Sequence, residues 1–297
     1  MALKLPKLEN ASLLRAVMFP APQSTYDASF PDLFYISKLT MRATTETKNS
    51  VPSLLISRTD SSKYVVYSHG NATDIGSCRY ILLRYSNLMD ANVLAYEYPG
   101  YGVTQHNQEI TTADGIRENV ECAYTYLLND GVVAEDIIFL GRSIGSGPSC
   151  HAALELQKLA VEHNHQLGGL ILISPYTSIN GIACSLVPYL GWLCPHVFNN
   201  VYLISRAEMQ RVPVMFIHGE DDKVIPASHS QELYDRCTAK QKRMIIVESA
   251  GHNFDESNVS ITTVISQFFD KNNRHLQYSS LLDIYIVSAC GTVTFLS

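Results

Sequence analysis

The chain is 297 residues long, 46% hydrophobic and 17% charged, with a formal net charge of −6. Such a composition supports a sizeable core and excludes a disordered chain. Without a run of Lys or Arg it also argues against a nucleic-acid surface, so no nucleic-acid partner is expected.

Seven cysteines, Cys78, Cys122, Cys150, Cys184, Cys194, Cys237 and Cys290, are scattered through apolar segments with no C-x-x-C spacing. That is the usage of buried, reduced thiols and points to the cytoplasm. A Cys184–Cys194 bridge is the alternative for an oxidising compartment.

Residues 1–17 read as an N-terminal extension, either a short amphipathic helix or a frayed end. Pro6, Glu9 and Asn10 interrupt any signal-peptide core. A helix lying on a membrane through Lys4, Lys7 and Arg15 is the weaker reading, which leaves room for a peripheral membrane contact.

From residue 18 to 273 the chain reads as one domain. "FYISKLTMRA" and "VPSLLIS" look like an opening antiparallel pair. Short β-branched runs then alternate with segments of helical period, the pattern of a parallel sheet covered by helices. "YVVYS" is a strand and Ile75 to Leu88 a helix. "NVLAYEY" is a strand ended by "PGYG". Thr112 to Leu128 carries Ile116, Val120, Ala123, Tyr124, Leu127 and Leu128 on one helical face. "IIFLG", "GLILIS", "VPVMFIHG" and "RMIIVES" are further strands, and Ile261 to Phe269 is a last helix. Residues 174–211, rich in aromatics and Pro without a clean period, read as a short cap-like insertion over the sheet. Residues 274–297 form a C-terminal tail, apolar and β-rich, whose expected state is an extra strand or a disordered end; a membrane or partner contact is the alternative.

The chemistry centres on "FLGRSIGSGPS". A phosphate loop needs Lys after its second glycine, and here Pro148 follows Gly147. A dinucleotide fingerprint needs a third glycine that is absent. Gly141-Arg142-Ser143-Ile144-Gly145 instead matches G-x-S-x-G, set between a buried strand and a helical segment, where a strand must turn sharply into a helix with its serine exposed to chemistry.

Such a serine needs a histidine base and a carboxylate to orient it. In this architecture they follow in the order serine, acid, histidine. "HGEDDKVIP" offers Glu220, Asp221 and Asp222 at a strand end, and "ESAGHNF" places His252 on the next loop. Asp222 is favoured, with Asp221 and Glu220 as alternatives. The oxyanion hole requires backbone N–H donors, expected at Ile144 and at Asn71 of "SHGNATD", with Ala72 as the second choice for the latter. His69 and Gly70 are expected to shape that turn, His69 as a buried, hydrogen-bonded residue. Leu186, Val187, Tyr189, Leu190, Trp192, Leu193 and Phe198 are candidates for an acyl-chain groove, with Tyr189, Leu190 and Trp192 as its principal substrate contacts; capping the core is the alternative. His163 and His165 form an H-x-H without a carboxylate or cysteine framework and read as surface residues.

Taken together, "SHGNATD", "YEYPGYG", "FLGRSIGSGPS", "VPVMFIHGEDDKVIPASHSQELYDRC" and "ESAGHN" resemble the α/β-hydrolase fold serine hydrolases. They resemble more narrowly the α/β-hydrolase domain-containing protein 17 group of palmitoyl-protein depalmitoylases, and "FPAPQSTY" is similar in its Phe19 and Tyr26 to that group's F-x-P-x-x-x-x-Y entry, with Ala21 at the proline position. The resemblance implies an α/β-hydrolase fold: a mostly parallel central sheet with helices on both faces and a short insertion over the active site. It implies Ser143 as nucleophile, Asp222 as acid and His252 as base, acting on an acylated protein or acyl-ester substrate by hydrolysis of S-acyl cysteine thioesters. No metal or organic cofactor is called for. No cysteine precedes Cys78, so that group's N-terminal cysteine cluster has no counterpart in this sequence. An oligopeptidase-like serine peptidase, a general carboxylesterase and a non-catalytic hydrolase-fold binding module are the rival readings.

Overall fold

The computed structural model describes residues 18–107, 109–186, 197–256, 258–269, 284–287 and 293–295. The strands are β1 (Leu33–Ser37), β2 (Ala43–Thr44), β3 (Ser50–Ile56), β4 (Tyr64–Ser68), β5 (Asn92–Tyr96), β6 (Ile137–Arg142), β7 (Gly169–Ile173), β8 (Val214–Gly219), β9 (Lys242–Val247), β10 (Ile284–Val287) and β11 (Val293–Phe295). The helices are α1 (Ile75–Met89), α2 (Ala113–Asn129), α3 (Ser146–Glu162), α4 (Ile179–Leu186), α5 (Asn200–Ile204), α6 (Ser228–Arg236) and α7 (Val259–Phe269).

All the strands join one sheet in the order β11-β10-β9-β8-β7-β6-β4-β5-β3-β1-β2. From β5 to β10 every neighbouring pair is parallel. The opening strands β1, β2 and β3 are antiparallel, as the sequence led us to expect. The tail extends the sheet: β10 runs parallel to β9, and β11 turns back antiparallel.

The parallel strands read as nearly continuous apolar runs because both faces are buried. In β6, Ile137 and Phe139 enter one core with α2 and α3, while Ile138 and Leu140 enter a second core with α1 and α7. β5, β7 and β8 alternate in the same way. Burying each such large side chain contributes about 1.5–3 kcal/mol. Helix starts follow local chemistry. Asp74 accepts from the Ser77 amide in a reciprocal capping box on α1, and Thr112 accepts from the Gly115 amide on α2. "NVLAYEY" stops as a strand at Tyr96, two residues earlier than the sequence run suggests, and the buried Glu97 that follows bonds to His69. Cys78, Cys122, Cys150 and Cys237 are free and buried, and burial pushes the Cys78 thiol up to about 12. Among the described residues no helix is long and apolar enough to cross a membrane.

The sheet order reverses around β4: β5 lies on one side of it and β6 on the other. Ligands in open α/β sheets gather outside the carboxyl ends of the strands at such a switch point. The loop of residues 69–74 leaves β4 there, and Ser143 leaves β6 there.

Candidate active site

Ser143 has φ +53, a left-handed backbone that a non-glycine residue adopts only when its surroundings impose it. Both motif glycines show why. A Cβ on Gly145 would run into the Ser68 and His69 carbonyls. One on Gly141 would meet the Gly145 carbonyl and stand 2.7 Å from Ser149 Oγ. The chain therefore passes from β6 through a single 3-10 turn (Ser143–Gly145) into α3, with no side chain capping the helix. Uncapped amides and the positive end of the helix face the serine. Side chains brace the turn from behind. Ser146 Oγ donates to the Ser143 carbonyl at 2.8 Å, Tyr176 OH to the Ile144 carbonyl at 3.3 Å, and Asn200 Nδ2 to Ser146 Oγ at 3.1 Å.

The strand ends bring three distant side chains into one line. His252 Nδ1 lies 2.7 Å from Asp222 Oδ2, and His252 Nε2 lies 3.1 Å from Ser143 Oγ. A carboxylate only accepts, so Nδ1 carries the proton and Nε2 is left to accept from the serine hydroxyl. Asp222 is buried and fully used. Its Oδ1 accepts from the Val224 and Ile225 amides at 2.8 and 2.9 Å. Its Oδ2 also faces His218 Nε2 at 3.2 Å. Burial alone would raise this carboxyl; the hydrogen bonds from His218 and His252 and the Ile225 amide outweigh it and hold Asp222 well below the usual carboxylate range. The two other acids are engaged differently. Glu220 accepts from the Ser249 amide at 3.3 Å, and the exposed Asp221 lies 4.0 Å from Lys223.

The loop after β4 sits against the serine: a Cβ on Gly70 would stand 3.9 Å from Ser143 Cβ. Asn71 follows, with its side chain tied down at both ends. Nδ2 donates to the Met18 carbonyl at 2.8 Å, and Oδ1 accepts from Tyr101 OH at 2.8 Å. Ala72 has φ +55. His69 is wholly buried, stacked on Tyr98 at 3.7 Å between centroids and bonded to Glu97 Oε1 at 3.0 Å, as its core reading required. Glu97 also accepts from Tyr26 OH at 2.7 Å and from the Ile75 and Tyr98 amides. The early "FPAPQSTY" segment is thereby laced to this loop.

Tyr189, Leu190, Trp192, Val187 and Leu193 lie outside the described residues. Phe198 is 1% exposed, set against Gly147 and beneath the Arg117 guanidinium at 5.1 Å; its side chain belongs to the core. Three polar or charged participants were not read from the sequence: Glu97, His218 and Arg142. Glu97 and His218 each interrupt an apolar strand run, and a polar residue there marks a buried partner. Arg142 had no such mark, since its partners lie more than 100 residues away.

Ser143 thus follows β6, Asp222 follows β8 and His252 follows β9. The sequence is 31% identical over 214 residues to an alpha/beta hydrolase of Acanthamoeba polyphaga mimivirus, covering 70% of this chain and 74% of that one. The chain belongs to the α/β-hydrolase family. It is 30% identical over 207 residues to human alpha/beta hydrolase domain-containing protein 17B, covering 69% of this chain and 66% of the relative. To the 17C protein of Xenopus tropicalis it is 31% identical over 205 residues, covering 60% of that relative. The match thus spans just under two thirds of the length of these domain-containing 17 proteins. A family model described as serine aminopeptidase, S33, matches residues 201–255. Among solved structures, an esterase of the bacterial hormone-sensitive lipase family superposes with a TM-score of 0.57 at 15% identity, covering 92% of this chain and 93% of its own. Monoglyceride lipase of Saccharomyces cerevisiae gives 0.57 at 15% identity, covering 84% of this chain and 98% of its own. At that identity the two share its fold: the chain has the mostly parallel α/β-hydrolase sheet.

Proposed function

We propose that this α/β hydrolase is a serine hydrolase that cleaves carboxylic ester or thioester bonds through an acyl-enzyme, and that its substrates are S-acylated proteins. The observation that carries the reading is the hydrogen-bonded line from Asp222 through His252 to Ser143, ending on a serine with φ +53. In this reading His252 Nε2 takes the Ser143 proton as Oγ attacks the carbonyl carbon. The Ile144 and Asn71 amides receive the oxyanion, each such donor contributing about 3 kcal/mol to the transition state. His252 returns the proton to the leaving thiol or alcohol, then activates water to release the acid. The resemblance to the domain-containing protein 17 group supports the thioester choice. We place the enzyme in the cytoplasm, meeting acylated substrates at membrane surfaces.

The serine aminopeptidase description of the family model over residues 201–255, which include Asp222 and His252, keeps a peptide amide in the test. Purified protein and Ser143→Ala are compared on short and long acyl p-nitrophenyl esters, a palmitoyl-cysteine peptide and an amide peptide. The expected result is Ser143-dependent cleavage of the long thioester. Cleavage of short esters only would leave a general esterase, and preferential cleavage of the amide would make it a peptidase. Absence of all four activities in folded protein that fluorophosphonate fails to label would make it a binding module.

A further inference from the structure

Arg142 stands between the Gly141 and Ser143 of the motif. Only 16% of its side chain is exposed. Nε donates to Glu256 Oε2 at 2.8 Å. Nη2 donates to Asn253 Oδ1 at 2.7 Å and to the His252 carbonyl at 3.3 Å. Nη1 lies against Gly70, where a Cβ would stand 2.9 Å from it. A single guanidinium therefore touches the loop of the base and the loop after β4, while its own backbone leads into the serine turn.

Asp222 orients the His252 ring, but a carboxylate at Nδ1 does not locate the histidine backbone. The carbonyl of His252 is held by Arg142. Glu256, 6% exposed, anchors the far end of the same loop; burial pushes its carboxyl up against the pull of Arg142. The planar fork of an arginine serves several acceptors at once. A lysine ammonium would retain the charge beside Glu256 but lose that geometry.

We propose that Arg142 is a positioning residue: its guanidinium fixes the backbone of the His252 loop, and so sets the distance from His252 Nε2 to Ser143 Oγ. The inference rests on the Ser143–His252 reading above. The rival role is a buried ion pair with Glu256 that only stabilises the fold.

Arg142→Lys separates the two. Turnover of p-nitrophenyl butyrate is measured per site titrated with a fluorophosphonate, alongside KM, for the full chain. A purely structural role lowers the number of titratable sites and leaves turnover per site unchanged. Positioning lowers turnover per site by about 10²-fold, the loss that a misplacement of about 1 Å produces, with KM within about twofold. Wild-type turnover per site in Arg142→Lys overturns the proposal. Should that variant not fold, Asn253→Ala removes one arm of the fork at an exposed partner. A fall in turnover per site then supports positioning, and wild-type turnover overturns it. Ser143→Ala runs in parallel. If it hydrolyses the ester as wild type does, the serine reading itself fails; if it is inactive while Arg142→Lys is fully active, only the clamp fails.

Discussion

Ser143 and His252 meet at 3.1 Å, yet opposite means hold them there. The serine turn is set by backbone contact. Gly141 and Gly145 admit carbonyls where a side chain would clash, and the turn has no other way through. The histidine loop is closely packed on one side only. Its Ala250 and Gly251 carbonyls lie where a Cβ on Gly219 of β8 would clash, while a Cβ on Gly251 itself would meet nothing within 4 Å. Beyond Gly251 the loop is held by side chains: Asp222 and Arg142 reach in from other elements, and the loop's own Glu256 pairs with Arg142. Steric control acts through backbone contact and is insensitive to pH. Control by charged hydrogen bonds is remote and can be altered one partner at a time.

The contrast makes predictions that differ in size. Gly145→Ala attacks the steric side and should be the most damaging. Overpacking costs about 1–3 kcal/mol where neighbours yield, and here the neighbours are carbonyls of the β4 loop. Fluorophosphonate labelling should vanish, together with a lowered melting temperature; normal labelling would show that the turn has another route. Glu256→Gln attacks the charged side by leaving Arg142 enclosed without its carboxylate. Removing one partner of a buried pair costs about 3–5 kcal/mol, and the partial exposure of Arg142 places the expectation near the lower figure. Urea denaturation reads it, and an unchanged midpoint would mean that solvent reaches the guanidinium.

A smaller effect follows from Asp222. Its carboxyl is depressed below the unfolded value of 3.8, so its contribution is complete above that value and declines as pH falls toward the folded one. The stability difference between wild type and Asp222→Asn should accordingly be equal at pH 7 and pH 5, and shrink only below about pH 4. A difference already shrinking between pH 7 and pH 5 would contradict the depressed carboxyl. Gly251→Ala should do least. Stability should remain within about 0.5 kcal/mol, with ester turnover retained, although the residue adjoins His252; marked loss of either would show that the loop is sterically confined after all.

The two sides were unequally legible in the sequence. The serine turn could be read because its pattern lies within five consecutive residues and their flanking strand and helix, although the carbonyls that demand a glycine at 145 come from the β4 loop. The order of acid and histidine at successive strand ends was legible for a related reason: each follows an apolar run that can only be a buried strand. The edge position of the tail was not. An apolar stretch containing Asp283 states no preference between a free end and a strand, and β10 exists as one because β9 offers it an unpaired edge. Phe198 is the one described residue of the groove candidates whose side chain can be placed, and it fills the core against Gly147, the alternative that the composition left open.

By itself, then, the sequence determined the sheet, its covering helices, the serine turn and the candidates for acid and base, because apolar periodicity and a five-residue motif are written in a few consecutive residues. Only the tertiary structure decided which carboxylate meets His252, that Glu97 lies under the β4 loop, and that Arg142 reaches the His252 loop. Those are hydrogen bonds of polar and charged side chains between residues 28 to 114 positions apart. A charged side chain selects its partner by distance in the folded molecule, and that distance does not exist until the sheet has brought its strand ends together.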